Sequence, residues 1–267
     1  MPEGPEVRKN TDFLNDVLSE KNVIDTKIVS GRYTRHGAFK GFDIMKNKQL
    51  KIEEVNCKGK FIYFNFRDGS SLWSTLGMSG VWQSKPTKHN RFLLKTDDTT
   101  VYYNDTRNFG TLKYTELQSD LQKKLKSIGP DFLKDGFGPD EFYRRIHKYG
   151  HKTIAQVLMN QKIVSGIGNY LKAECLYSAK ISPHRYCCHI TEKESETLFH
   201  ACRKTIRLSY KMGGATLATY RQPNGEKGLY SRRFAVYNQD YDPNGYIVLK
   251  EKTLDKRTTH WVPIVQK

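Results

Sequence analysis

The sequence predicts an α+β protein of two domains. A β-rich N-terminal half is led by one helix, and a helical half closes on a small β-hairpin. Three observations carry this. An amphipathic stripe runs through residues 5–20, short turn-bounded apolar runs fill 23–115, and apolar residues at helical spacing fill 140–212. At 267 residues the chain has the length of one or two domains and room for a sizeable core.

The leading helix follows from Val7, Leu14, Val17 and Leu18 on one stripe, with Asp12, Asp16 and Glu20 elsewhere. Runs such as Phe61-Ile62-Tyr63-Phe64-Asn65-Phe66 end at Asp68-Gly69, Asn90 and Asp97-Asp98, which predicts short strands in a sandwich or barrel. Gly129-Pro130, Gly136 and Gly138-Pro139 read as a linker. Phe142 and Ile146, Ile154, Val157 and Leu158, Leu171 and Leu176, then Leu198, Cys202 and Ile206 mark successive helices. Residues 213–232, from Gly213-Gly214 to Asn224-Gly225 and Gly228, read as a flexible loop. Alternation through Tyr246–Leu249, then Thr259 and Trp261, predicts the hairpin. The expected divisions are 1–125, a linker at 126–139, 140–232 with its loop near 213–232, and 233–267.

Lys and Arg number 45 against 28 Asp and Glu, a net charge of +17. That field favours polyanions, nucleic acid first and an anionic membrane second. The basic residues fall in short groups, among them Lys85, Lys88 and Arg91; Lys123, Lys124 and Lys126; Arg144, Arg145, Lys148 and Lys152. Groups spread through a folded chain suit a cleft that tracks phosphates better than a tail. No apolar run approaches the roughly 18 residues of a membrane span. No basic amphipathic helix marks a membrane binder, and with no basic stretch followed by an apolar one at the opening, no secretory signal is expected. Cys57, Cys175, Cys187, Cys188 and Cys202 are odd in number with no C-x-x-C pair, so a reducing intracellular compartment is expected. His184, Cys187, Cys188 and His189 lie close together, but adjacent cysteines suit tetrahedral metal geometry poorly. No metal and no cofactor is expected.

Five features could carry chemistry, and each has a plain alternative. Pro2 would be a secondary amine at the terminus once Met1 is removed. With a pKa near 8, against about 10.4 for Lys, much of it would be unprotonated and able to attack a sugar C1′. The plain reading is a proline at a helix start. Glu3 and Glu6, three residues apart, share a helical face beside that amine. They suit either proton transfer or the helix dipole. Lys58 and Lys60 flank Gly59 on one face, as a solvated edge or with one lysine reaching a phosphate or a general-acid position. Gly166-Ile167-Gly168-Asn169 lies between two helical patterns with Asn169 at an N-cap position, as a plain turn or a phosphate seat. Met78, Arg107 and Phe109 lie in turns between strands, either packed in the core or ready to fill the hole left by an extruded nucleotide.

Taken in order, these features resemble the formamidopyrimidine-DNA glycosylase / endonuclease VIII family. The resemblance runs from Pro2-Glu3-Gly4-Pro5-Glu6-Val7 through Gly59-Lys60, Leu76-Gly77-Met78-Ser79-Gly80 and Asp105-Thr106-Arg107-Asn108-Phe109-Gly110. It continues through Ile128-Gly129-Pro130-Asp131 and Leu158 to Asn169, and ends at Arg257-Thr258-Thr259-His260-Trp261-Val262-Pro263. It implies an N-terminal β-sandwich with a leading helix, a helix–two-turn–helix domain and a C-terminal finger hairpin. It also implies a bifunctional glycosylase and abasic-site lyase of base excision repair, acting as a monomer on double-stranded DNA with an oxidised base or abasic site. Pro2 would be the nucleophile, Glu3 the proton carrier, Glu6 a support and Lys60 a phosphate contact assisting catalysis. Asn169 and Arg257 would grip phosphates, and Met78, Arg107 and Phe109 would occupy the vacated stack. Oxidised pyrimidines and hydantoins would be favoured, with β,δ-elimination cleaving the strand. The contrasting expectation is a non-catalytic binder of damaged DNA with the same fold.

One departure stands out. Many members end in a four-cysteine zinc finger with a C-P-x-C-Q pattern, and here the stretch is Val262-Pro263-Ile264-Val265-Gln266. This is similar to the zincless finger of endonuclease VIII-like members from eukaryotes and giant viruses. Val262, Val265 and Trp261 would then replace the metal by packing.

Overall fold

The computed structural model describes residues 2–134, 136–216 and 220–267. Close contacts divide the chain into two units: residues 1–127 with 213–228, and 128–212 with 229–267.

The first unit opens with α1 (Gly4–Leu18), followed by β1 (Asn22–Ile28), α2 (Arg32–Arg35) and α3 (Phe42–Lys46). Then come β2 (Leu50–Lys58), β3 (Phe61–Phe66), β4 (Ser71–Thr75), β5 (Gly80–Gln83), β6 (Asn90–Thr96), β7 (Thr100–Asp105), β8 (Thr111–Thr115) and α4 (Gln118–Lys126). The strand order is β5-β7-β6-β1-β2-β3-β4-β8. β1 and β2 pair only at Asn22↔Lys51 and Val23↔Leu50, so two four-stranded layers meet at one seam. The sheet closes as a β-sandwich. Its core takes Val7, Leu14 and Leu18 from α1, Ile52, Phe64 and Trp82 from the strands, Phe42 and Met45 from α3, and Phe39 from the loop before it, a stretch that alternation alone does not reveal. Two asparagines fix α1 on this frame: Asn10 Oδ1 accepts from Trp82 N at 2.8 Å and Asn15 Oδ1 from Val55 N at 2.8 Å. The helix start is thereby held in place.

The second unit contains α5 (Pro139–His147), α6 (Ile154–Met159), α7 (Asn169–Ser178) and α8 (Glu192–Lys211), then the hairpin of β9 (Leu249–Lys252) and β10 (Thr258–Trp261). Thr153 and Thr191 cap α6 and α8 through capping boxes. The stretch expected as a linker contributes Phe132 and Phe137, which pack with Phe142 and Phe199 at ring-centroid distances of 5.2 to 6.2 Å. α7 is buried on nearly all sides, including Lys172 and Glu174. A buried charge must be paired or hydrogen-bonded. Lys172 Nζ meets Asp255 Oδ2 at 2.5 Å and Thr259 Oγ1 at 2.7 Å. The Glu174 carboxylate accepts from the backbone N–H groups of Ala235, Val236 and Tyr237. Two charges on one helix thus anchor the whole C-terminal segment.

Candidate functional site

In the first unit the chain start is buried: Pro2 is enclosed, and Glu3 and Glu6 are 2% and 1% exposed. Glu3 stands just before the first helical residue and donates its backbone N–H to Glu6 Oε2 at 2.7 Å. The other Glu6 oxygen accepts from Ala215 N at 2.6 Å. Glu6 therefore ties the helix start to the backbone at Ala215. Gly214 makes this fit possible. Its φ is +80°, and a Cβ there would lie 2.5 Å from Glu6 Oε1. Tyr220 follows in the same segment, 5% exposed, its hydroxyl without a partner. Burial, aided by the charge of Glu6, pushes its phenol well above the usual value, so it stays neutral. Sequence reading marked the glycines of this segment but not the side chain they serve. Of the loop expected over 213–232, residues 217–219 lie outside the described residues.

Lys60 sits in the two-residue turn Gly59-Lys60 that joins β2 to β3, with Lys58 opposite Phe61. The expectation that Lys58 and Lys60 share a strand face is corrected, because the strand ends at Lys58 and Gly59 takes φ +58°. Positive φ at the first turn position suits a tight hairpin. Lys58 turns aside, its Nζ donating to Leu125 O at 2.9 Å.

Two further loops of this unit are packed backbone against backbone. A Cβ on Gly77 (φ +55°) would lie 2.6 Å from Gly110 N and Phe109 C. Asp105 organises both: it accepts from Ser79 Oγ at 2.5 Å and from Gly110 N at 2.8 Å, and Arg107 N donates to Ser79 Oγ at 2.9 Å. Met78 is half-buried, Phe109 is 54% exposed, and the Arg107 guanidinium lies 5.1 Å from the Phe109 ring centre. Core packing is therefore not the role of Phe109. An aromatic ring and a planar cation are presented to solvent on a rigid base.

In the second unit Asn169 and Arg257 are brought together. Gly168, not Asn169, is the N-cap of α7, and Asn169 is the first helical residue. Freed from capping, its Nδ2 donates to Thr258 O at 2.9 Å, next to Arg257. Arg257 is exposed on the turn between β9 and β10. That turn is closed by Thr253 N and Thr253 Oγ1 donating to Arg257 O, and it is held on α7 by the Lys172–Asp255 pair. Lys172 carries no local signal of this, since its partner lies 83 residues on.

The hairpin stretch, 233–267, contains no cysteine. Its packing is apolar, with Val236, Val248 and Val262 buried against Ala173 and with Val265 beside them. Trp261 lies outside that cluster, half-buried, donating to Glu251 and edge-on to His184. Asp240 pairs with Lys250, and Asp242 accepts from Tyr177 Oη and from the backbone of Asn244 and Tyr246. Among the described residues no three His, Cys, Asp or Glu side chains gather as metal ligands.

Comparison with known proteins gives a consistent result. Residues 1–112 match the formamidopyrimidine-DNA glycosylase N-terminal domain, 128–221 its H2TH domain and 231–267 its C-terminal domain. Formamidopyrimidine-DNA glycosylase of Thermus thermophilus is 32% identical over 222 residues, 81% of this chain and 82% of that protein. That of Zymomonas mobilis is 31% identical over 251 residues, 90% of each. Among solved structures, MutM (Fpg) from T. thermophilus superposes with a TM-score of 0.87 at 29% identity, covering 99% of this chain and 98% of that one. A Lactococcus lactis Fpg mutant in complex with DNA containing Fapy-dG gives 0.88 at 26% identity, covering all of both chains.

Proposed function

The chain belongs to the formamidopyrimidine-DNA glycosylase family, a family of DNA glycosylases, and on that premise we propose a bifunctional glycosylase and abasic-site lyase acting on oxidised bases in duplex DNA. The observation that supports this most is the enclosed Pro2 beside two buried carboxylates, Glu3 and Glu6. A DNA binder has no use for such a terminus.

In the proposed sequence, removal of Met1 frees the Pro2 secondary amine, whose pKa near 8 leaves a working fraction unprotonated. The nitrogen lone pair forms a bond to C1′ of the extruded nucleotide. The glycosidic bond breaks, and the base leaves with a proton. Glu3 delivers a proton to the ring oxygen as the sugar opens to the iminium. Loss of a C2′ proton expels the 3′-phosphate, and a second elimination expels the 5′-phosphate. Water then hydrolyses the imine and regenerates the amine. Lys60, Asn169 and Arg257 hold phosphates, each a charge-assisted or amide contact. Met78, Arg107 and Phe109 fill the vacated stack, offsetting the few kcal/mol of unstacking. We propose that the hairpin carries Arg257 without zinc, held by its valine cluster and by Lys172.

The test is a panel of duplexes carrying thymine glycol, a hydantoin, 8-oxoguanine, Fapy-dG or an abasic site. The reading predicts base release and gaps with phosphate at both ends, with pyrimidine and hydantoin lesions preferred. Tight binding to all five with no cleavage of any would leave a damage binder.

A further inference from the structure

Outside the site described above, the second unit carries a basic cavity that the proposed chemistry does not use. It measures about 480 Å³ and lies between α5 and the turn that follows α6. Arg144 lines it from the last turn of α5, Lys148 from the residue that caps that helix four positions on, and Lys162 from the turn. All three are exposed. Glu141 is the carboxylate in the lining, and Arg145 consumes it at 2.7 Å. Arg144, Lys148 and Lys162 have no ion-pair partner among the described residues. Tyr149 and the buried Ile163 complete the walls.

Three unpaired like charges around one hollow repel each other, so a ligand that neutralises them is favoured. A small anion would be met by convergent, buried donors. These cations are instead exposed and strung out, Arg144 and Lys148 separated by about 6 Å of helix rise. That spacing suits successive phosphates of one nucleic-acid strand. Cations near the C-terminal end of α5 also complement its dipole, but that leaves Lys162 unexplained. We propose that this cavity is a second phosphodiester-binding site, gripping the DNA backbone with Arg144, Lys148 and Lys162 independently of Asn169 and Arg257. The inference rests on the reading of the chain as a DNA glycosylase.

The test is the salt dependence of binding to a duplex of roughly three helical turns bearing a tetrahydrofuran abasic analogue. Each phosphate contact adds about 0.9 to the slope of log affinity against log salt. Arg144→Ala/Lys148→Ala should therefore lower the slope by about 1.8. Between about 50 and about 200 mM salt, wild type should lose about 12-fold more affinity than the variant does. Alanine is a good helix former at Arg144, and the cap at Lys148 is made by its backbone N–H, which alanine keeps, so the melting temperature should hold. Lys193→Ala/Lys204→Ala, exposed on α8 with the same charge change, is the control and should leave the slope near wild type. An unchanged slope in the first variant, or an equal fall in the control, overturns the site while leaving the glycosylase reading intact. Failure of the wild-type protein to bind the duplex at all overturns both.

Discussion

Replacing Lys172 by Met removes one half of a buried ion pair and leaves the rest of the chain untouched. The side chains of Lys172 and Asp255 are 0% and 3% exposed, with 2.5 Å between Nζ and Oδ2. The variant strands the Asp255 carboxylate away from water and takes a donor from Thr259 Oγ1. Breaking a buried pair on one side costs about 3–5 kcal/mol, most of it the price of an uncompensated charge. At about 2–4 °C per kcal/mol in a protein of this size, melting should fall by roughly 6–20 °C. Lys172→Met/Asp255→Leu removes both charges and should recover most of that loss, because a well-packed apolar pair often matches a buried ionic one. Thermal melts followed by circular dichroism measure both. A loss below about 1 kcal/mol for the single variant, or no recovery in the double, would refute the view that this pair anchors the hairpin on α7.

Three other expectations follow from the same structure. Gly214→Ala forces a Cβ to within 2.5 Å of Glu6 Oε1 at φ +80°, so base excision should collapse while binding to an abasic duplex persists; wild-type excision rates would show that Glu6 need not hold this segment. Exhaustive dialysis against a zinc chelator should leave both melting temperature and DNA affinity unchanged, and a loss of either that zinc restores would contradict the apolar hairpin. Burial, with Lys250 and Lys172 nearby, pulls the His260 imidazole below its ordinary pKa of about 6.5. Its neutral form is present in folded and unfolded chains above that value. As pH falls below it the unfolded chain takes up a proton that the folded chain resists, so stability declines by at most about 1.4 kcal/mol per pH unit. His260→Phe should flatten the melting temperature between neutral pH and pH 5, and an equally steep variant would point to other groups.

The parts of the fold with short-range signals were legible in the sequence. The stripe of Val7, Leu14 and Leu18 marks α1, and alternation marks the strands, because each reports burial of one face. The order of short motifs pointed to Pro2, Glu3, Lys60, Asn169 and Arg257. What escaped was long-range. Lys172 drew no reading from the sequence, because the partner that lets it be enclosed arrives from far along the chain. Gly214 reads as loop punctuation, yet its missing side chain is the space that Glu6 fills. Asn169 reads as an N-cap, yet Gly168 takes that place and frees the amide for the hairpin. Trp261 reads as core filler, but the indole N–H draws it to Glu251 at the rim.

The central claim is that Pro2 is the nucleophile, and borohydride trapping on an abasic duplex tests it most directly. Wild-type protein lacking Met1 should give a stable protein–DNA adduct whose crosslinked peptide is the N-terminal one. Pro2→Thr, which loses the secondary amine, should bind the same duplex and form no more than a trace. An adduct of undiminished yield in Pro2→Thr, mapped to a lysine, would contradict the account.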